Sequence, residues 1–210
     1  MKGKFLTVEG TEGVGKSTNI QFIRDQLDSK GIDLLVTREP GGTPLAEELR
    51  EILLKKRVET FDPTAELLAV FSARAQHLNT RIKPALDAGR WVLSDRFTDA
   101  TFAYQGFGRN LDKEKILLLE NLVQGELRPD LTFLLDIDVD VGMSRARARA
   151  ELDRFESEEL AFFERVRAGY KHRVKEAPDR YAVIDAGQNL KAVQADIARY
   201  LDTFVHKSGL

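Results

Sequence analysis

Cysteine is absent from this 210-residue sequence, which excludes a disulfide scaffold, a thiolate zinc site, an iron–sulfur cluster and a thiol nucleophile. Histidine occurs only at His77, His172 and His206, so imidazole chemistry has few places to sit. No apolar run approaches the roughly 20 residues of a membrane-crossing helix. The opening MKGKFLTVEG carries too short an apolar stretch for a secretory leader. Neither sign of charge dominates: 32 Lys and Arg stand against 34 Asp and Glu, a net charge of -2. That balance argues against nucleic acid or a membrane surface as a partner. Repeats, low-complexity tracts and Pro/Gly/Ser linkers are missing too. The expectation is one soluble, cytoplasmic domain over 1–210, a length suited to a single well-filled core.

What is present is an alternation. Phe5 to Glu9 (FLTVE) reads as a short strand closed by Gly10, and the spacing of Ile20, Phe22, Ile23 and Leu27 predicts a helix from Lys16. Further strands are expected at 32–37, 91–94, 131–136 and 181–184. Helices are expected at 44–54, 63–86, 100–104, 113–123 and 190–205, the second with Leu67, Leu68, Phe71, Ala75 and Leu78 as its apolar stripe. Such alternation predicts an α/β fold of three layers, a parallel five-stranded sheet with helices on both faces. Ligands of these sheets bind beyond the carboxyl ends of the strands, so residues just after a strand are the candidates for chemistry. Arg145 to Arg154 (RARARAELDR) stands apart, and its composition alone reads as an exposed helix end carrying Arg–Glu pairs.

Gly10-Thr11-Glu12-Gly13-Val14-Gly15-Lys16-Ser17, followed by Thr18, fits G-x-x-x-x-G-K-[ST] between a predicted strand and a predicted helix. Glycines let main-chain amides turn inward around phosphate oxygens. The helix N-terminus adds its positive dipole end, and the Lys16 ammonium spans the outer phosphates. Ser17 offers a hydroxyl to Mg2+. This motif marks a nucleotide phosphate site and leaves the reaction open. A guanine-reading N-K-x-D and a transporter-type L-S-G-G-Q are both absent. The acid that follows a strand is Asp95 (VLSDR) or Asp136 (LLDID), and neither is followed directly by the Glu of a hydrolytic ATPase. A kinase needs less machinery: it holds a second phosphate in line and neutralises the charge between the two. Arg38, heading Arg38-Glu39-Pro40-Gly41-Gly42-Thr43, and Arg96, directly after Asp95, both follow strands and suit such a clamp as planar, multidentate donors.

Five segments then make the pattern specific: Gly10 to Thr18, R-E-P-G-G-T at 38–43, D-R-F-T-D-A-T-F-A-Y-Q-G at 95–106, R-P-D-L-T at 128–132 and R-A-R-A-R-A-E-L-D-R at 145–154. In this order, over nearly the whole chain, they resemble the bacterial thymidylate kinases, a P-loop nucleoside monophosphate kinase family. The resemblance implies a P-loop NTPase fold with an arginine-rich lid at about 145–157, transfer of the γ-phosphoryl group of ATP to dTMP with Mg2+, and a homodimer. It implies that Lys16 and the loop amides hold the ATP phosphates, and that Ser17 and Asp95 serve the metal. Arg38 and Arg96 would grip the dTMP phosphate, with Asp95 orienting Arg96 and Glu39 and Pro40 completing the acceptor loop. Glu12 would face the sugar 3′-hydroxyl, Tyr104 would pack beside C2′ against a ribose hydroxyl, and Arg50 would lie near base and sugar. Arg74, Thr101 and Gln105 match positions that hydrogen-bond thymine. That base carries two carbonyls and one N–H, so a wrong base would leave such groups buried and unpaired.

The chain also departs from the family pattern. Many relatives place an aromatic four residues before the base-binding arginine, where this sequence has Val70 with Phe71 beside it. Either Phe71 takes over the stacking or aliphatic packing holds the thymine, and Phe71 is the side chain expected against the base. Ala100 stands where relatives often carry Ser, which leaves Thr101 as the nearby hydroxyl. Gly13 and Val14 fill loop positions where some relatives have a basic residue. The lid is therefore expected to bring Arg149, or Arg147, beside the transferring phosphoryl group and to exclude water. A kinase for another small acceptor and a nucleotide-dependent switch with a protein partner are the competing readings, separable by acceptor-dependent ADP release.

Overall fold

The computed structural model describes residues 3–149, the side chain of Arg149 excepted, and 153–209. Strands β1 (Phe5–Glu9), β2 (Leu34–Arg38), β3 (Trp91–Asp95), β4 (Leu131–Asp136) and β5 (Tyr181–Asp185) form one parallel sheet in the order β2-β3-β1-β4-β5. The helices are α1 (Lys16–Ser29), α2 (Pro44–Leu54), α3 (Pro63–His77), α4 (Lys83–Asp87), α5 (Thr98–Thr101), α6 (Lys113–Gln124), α7 (Val139–Arg149), α8 (Leu160–Glu176) and α9 (Leu190–Lys207). From β1 the chain goes to one side for β2 and β3 and to the other for β4 and β5. The carboxyl end of β1 is therefore the crevice where such sheets bind ligands.

β1 is buried along its whole length, as a central parallel strand covered on both faces should be. Leu6 and Val8 point into the layer of α1 and α9, meeting Ile23 and Leu27 from the first and Ile197 and Leu201 from the second. Phe5, Thr7 and Glu9 point the other way. Phe5 joins Leu78, Ile82, Val92 and Phe97, and Thr7 Oγ1 meets Thr132 Oγ1 at 2.9 Å. Each fully buried large aliphatic or aromatic side chain in these layers contributes on the order of 1.5–3 kcal/mol.

Differences from the expected elements have local causes. β2 starts at Leu34 because Ile32 is still tied to the turn that follows α1: its N–H donates to Leu27 O at 3.2 Å and that of Gly31 to Asp28 O at 2.9 Å, which caps the last helical turn. The expected helix at 63–86 is a continuous rod, but Leu78–Ile82 is π-helical between α3 and α4. Pro84 has no N–H for the carbonyl one turn back, and the wider turn accommodates it. Likewise α5 widens into a π-helical segment at Phe102–Gly108. Helix α8 has no counterpart in the sequence reading. Among the described residues no helix is long and apolar enough to cross a membrane.

Candidate active site

Beyond Glu9 the chain turns through Gly10 to Gly15 and enters α1 at Lys16. Gly13 has φ 70, and a Cβ there would lie 1.9 Å from the carbonyl oxygen of Gly142 on α7. The turn thus closes only on glycine, docked against the helix that carries 145–149. Lys16 Nζ donates to Thr11 O at 3.0 Å and Gly10 O at 3.4 Å, reaching across the mouth of the loop. Desolvation and the Arg96 cation pull the Lys16 ammonium below its ordinary value, against the opposing pull of Glu12 and Asp95. Phosphate oxygens at this point favour its charged form. Ser17 and Thr18 are exposed on the first turn. Asp95, ending β3, keeps Oδ1 buried and without a hydrogen-bond partner among the described residues. Asp136 is fully engaged instead: Arg167 of α8 donates to its two oxygens at 2.7 and 3.0 Å, and Lys171 Nζ lies 3.3 Å away. Of the two candidate acids, Asp95 retains a free oxygen.

A cavity of about 740 Å³ joins this loop to a recess between α2, α3 and the 102–108 turn, a size usual for small-molecule sites. Arg96 enters it from a left-handed backbone, φ 67, which costs a non-glycine residue on the order of 1 kcal/mol. Two hydrogen bonds fix that turn, from its own N–H to Val8 O at 3.0 Å and from Ser94 Oγ to its carbonyl at 2.7 Å. The Arg96 guanidinium lies 4.7 Å from the centre of the Tyr104 ring. It donates to Glu12 Oε1 at 2.7 Å and to the Tyr170 hydroxyl at 3.1 Å, while Tyr104 OH donates to the same Glu12 oxygen at 2.7 Å. Beneath them Glu9 accepts from Phe97 N–H at 2.7 Å and from Tyr170 OH at 2.9 Å. Burial and the Asp99 carboxylate push the Glu9 carboxyl up to about 8, although Arg96 pulls the other way.

The opposite wall is built by the loop after β2 and by α3. Arg38 is exposed and gripped by Glu47, Nε to Oε1 at 3.2 Å and Nη2 to Oε2 at 2.8 Å. Arg50 donates to Pro40 O at 2.8 Å. Arg74, only 2% exposed, donates from Nε to Glu39 Oε2 at 2.6 Å and from Nη2 to Thr101 Oγ1 at 3.0 Å. Its Nη1 is buried without a partner among the described residues. A phosphate-binding loop and an arginine-rich recess thus open into one space, suited to two anionic ligands.

The thymidylate kinase family profile matches residues 8–197. The chain is 65% identical to thymidylate kinase of Teredinibacter turnerae, covering 98% of this chain and 100% of that one. It is 58% identical to the enzyme of that name from Chromohalobacter salexigens, covering 95% of each. The crystal structure of thymidylate kinase from Ehrlichia chaffeensis superimposes with a TM-score of 0.76 at 32% identity, over 96% of this chain and 99% of that one. The chain belongs to the thymidylate kinase family.

In this member of the thymidylate kinase family, Glu12, Arg38, Glu39, Pro40, Arg50, Arg74, Asp95, Arg96, Thr101, Tyr104 and Gln105 line the same cavity as Gly13 to Thr18. Gly10 and Thr11 contribute the carbonyls that receive Lys16. Phe71 does not line the cavity: it is 2% exposed in a cluster with Leu67, Phe102 and Ile116, and Val70 lines the wall beside it. Neighbours on a helix point about 100° apart, so only one of the pair reaches the wall. Gln105 lines the cavity but commits its amide to Glu66 Oε1 at 2.8 Å. Arg145 also lines it, whereas Arg147 is exposed on α7 outside the lining. The Arg149 side chain and lid residues 150–152 lie outside the described residues. Glu9, His77 and Tyr170 were missed. For Tyr170 the signal was present in the helical spacing of Phe162, Phe163, Val166 and Tyr170 along LAFFERVRAGYKHR.

Proposed function

We propose that this chain transfers the γ-phosphoryl group of ATP to dTMP, giving dTDP and ADP, with 1–210 acting as one domain in the cytoplasm. The reading is carried by the joining of the phosphate loop and the Arg96–Arg74 recess in one cavity, in a chain of this family. An oxygen of the dTMP phosphate attacks the γ-phosphorus, and the bond from that phosphorus to the β,γ-bridging oxygen breaks, leaving ADP. Such transfer is mostly positioning and charge neutralisation. Loop amides and Lys16 hold the donor phosphates. Arg96 supplies a fork to the acceptor phosphate, with Arg38 at the recess mouth. Glu12, steadied by Arg96 and Tyr104, is assigned to the sugar 3′-hydroxyl, and Tyr104 to the 2′ side. Arg74 and Thr101 face the base, Val70 packs on it, and Gln105, Glu39, Pro40 and Arg50 complete the acceptor pocket.

Mg2+ fits the remaining groups. The unpartnered Asp95 Oδ1 and the exposed Ser17 hydroxyl give one carboxylate and one alcohol. Among the described residues there is no larger acidic or histidine cluster for a metal. Few protein ligands, with phosphates and waters for the rest, is the usual magnesium arrangement at nucleotides, where the ion neutralises phosphate charge. The lid at 145–157 is assigned to closing over ATP, with Arg149, or Arg147, beside the transferring group. A homodimer through the outer faces of α3 and α6 completes the reading.

The test is coupled ADP release with ATP, Mg2+ and a panel of nucleoside monophosphates. The expected result is acceptor-dependent turnover with dTMP preferred. Preference for another monophosphate, or ADP release indifferent to the acceptor, overturns it.

A further inference from the structure

Behind Arg74 runs a chain of polar groups, Glu39, His77 and Thr37, of which the last two have been given no role above. His77, three residues further along α3, is fully buried. Its Nδ1 lies 3.1 Å from Glu39 Oε1, and its Nε2 lies 2.6 Å from Thr37 Oγ1 on β2. The second Glu39 oxygen receives Arg74 Nε at 2.6 Å. Gly42 seals the arrangement: a Cβ there would stand 2.4 Å from His77 Nε2 and 2.7 Å from Thr37 Oγ1. The loop bearing Arg38 to Thr43 is thus seated directly on the imidazole.

The hydrogens follow by elimination. Burial alone would push the Glu39 carboxyl up, but the Arg74 cation and the His77 contact hold it below its ordinary value. An ionised carboxylate only accepts. The hydrogen between Nδ1 and Oε1 is therefore carried by the imidazole, which donates to Glu39, while Nε2 faces the Thr37 hydroxyl. Arg74 is then pinned by Glu39 at Nε and by Thr101 at Nη2. Its remaining nitrogen, Nη1, is the buried and unpartnered one among the described residues, on a side chain that lines the cavity. A buried donor without a partner is costly, and a carbonyl oxygen of a bound base satisfies it.

We propose that Thr37, His77 and Glu39 form a relay that positions Arg74 for the base of the acceptor, which makes His77 a positioning residue for acceptor binding. The inference rests on the dTMP kinase reading for the identity of that acceptor. It separates this relay from phosphoryl transfer, so its loss weakens acceptor affinity and leaves the donor side alone.

Two measurements test it. In the wild-type protein, long-range 1H–15N NMR of His77 is expected to give a protonated Nδ1; a bare Nδ1 overturns the relay. In steady-state kinetics, His77→Leu is expected to raise KM for dTMP about tenfold or more, as loss of a buried hydrogen bond to a charged group does. KM for ATP should stay within about twofold and kcat should change little. His77→Asn keeps a donor near Nδ1 and is expected to recover most of the dTMP affinity. Should His77→Leu fail to fold, Thr37→Val removes one hydroxyl only and is expected to raise KM for dTMP about threefold on the same grounds. An unchanged KM for dTMP, equal changes for both substrates, or no advantage of Asn over Leu overturns the relay in favour of a merely structural histidine. Wild-type enzyme without a preference for dTMP sinks the kinase reading instead, while the NMR result still decides the protonation of Nδ1.

Discussion

Glu9 and Glu12 are three positions apart and meet opposite environments. Glu12 is at the cavity, hydrogen-bonded by Arg96 and Tyr104. Glu9 is sealed beneath it, its carboxyl pushed up to about 8 by burial and by Asp99. The raised value sets a direction for stability. Between about 4.5, the ordinary value, and about 8, the folded protein holds the Glu9 proton and the unfolded chain does not. Stability from this group therefore falls as pH rises through that window, by up to about 1.4 kcal/mol per pH unit. Glu9→Gln, a neutral isostere able to serve Phe97 N–H and Tyr170, removes that dependence. Urea unfolding of both proteins from pH 5.5 to 8.5 should show the Gln variant gaining on the wild type with each step. Parallel curves would mean that Glu9 is ionised in the fold.

Helix α8 lies against the π-helical turn that presents Tyr104 and Gln105, and Gly169 faces that turn at close range. A Cβ at Gly169 would stand 2.9 Å from Ala103 Cα and 3.0 Å from the Phe107 side chain. On an open helix face Gly→Ala is worth about 1 kcal/mol in favour of the helix. Here overpacking reverses the sign: Gly169→Ala is expected to cost about 1–3 kcal/mol in urea unfolding, and to raise KM for dTMP because the displaced turn carries acceptor-side groups. A more stable variant would refute the close approach.

The same pair of elements shows what local pattern reveals. The bounds of α2 were readable because Thr43 caps the helix, its Oγ1 accepting Ala46 N–H at 3.3 Å, with proline next in line. β1 and β4 were readable as short apolar runs ended by turn residues. Helix α8 was not, because its buried stripe is interleaved with arginines whose partners are far along the chain: Arg167 meets Asp136 and Arg173 meets Asp99. Those charges read as solvated until the fold pairs them. The π-helical turns depend likewise on packing that no local window contains. Phe71 is instructive in the other direction. The apolar stripe with Leu67 and Leu78 already placed it in the core, and only the family analogy drew it toward the base. Arg38 and Arg96 were legible as residues that follow strands, whereas Arg74, in the middle of a helix, was reached only through the family resemblance; all three line one cavity. The His77 relay was not legible, since nothing in the sequence ties position 77 to 37 and 39.

At the scale of the molecule, α3 and α6 are a packed helical pair whose outer sides carry exposed apolar side chains among the described residues. α3 and α6 pack through Leu67, Phe71 and Ile116, yet Leu68, Leu118 and Leu122 on their outer sides are 52%, 70% and 78% exposed. Leu118 and Leu122 are one turn apart and share a face of α6. Grouped apolar exposure of this kind marks an interface, and a two-fold pairing lets one patch satisfy itself on a second copy. Helix α3 also carries Val70 and Arg74 to the cavity, so the proposed contact would brace the acceptor wall from behind. Leu118→Glu combined with Leu122→Glu would place two carboxylates from each copy in that contact and leave the internal core untouched. Sedimentation equilibrium at micromolar concentration should give twice 23.7 kDa for the wild type and a single chain for the double variant. The double variant should keep its KM for ATP and lose affinity for dTMP, because only the braced wall has loosened. A wild-type monomer, or a double variant that still pairs, would assign those leucines to plain surface.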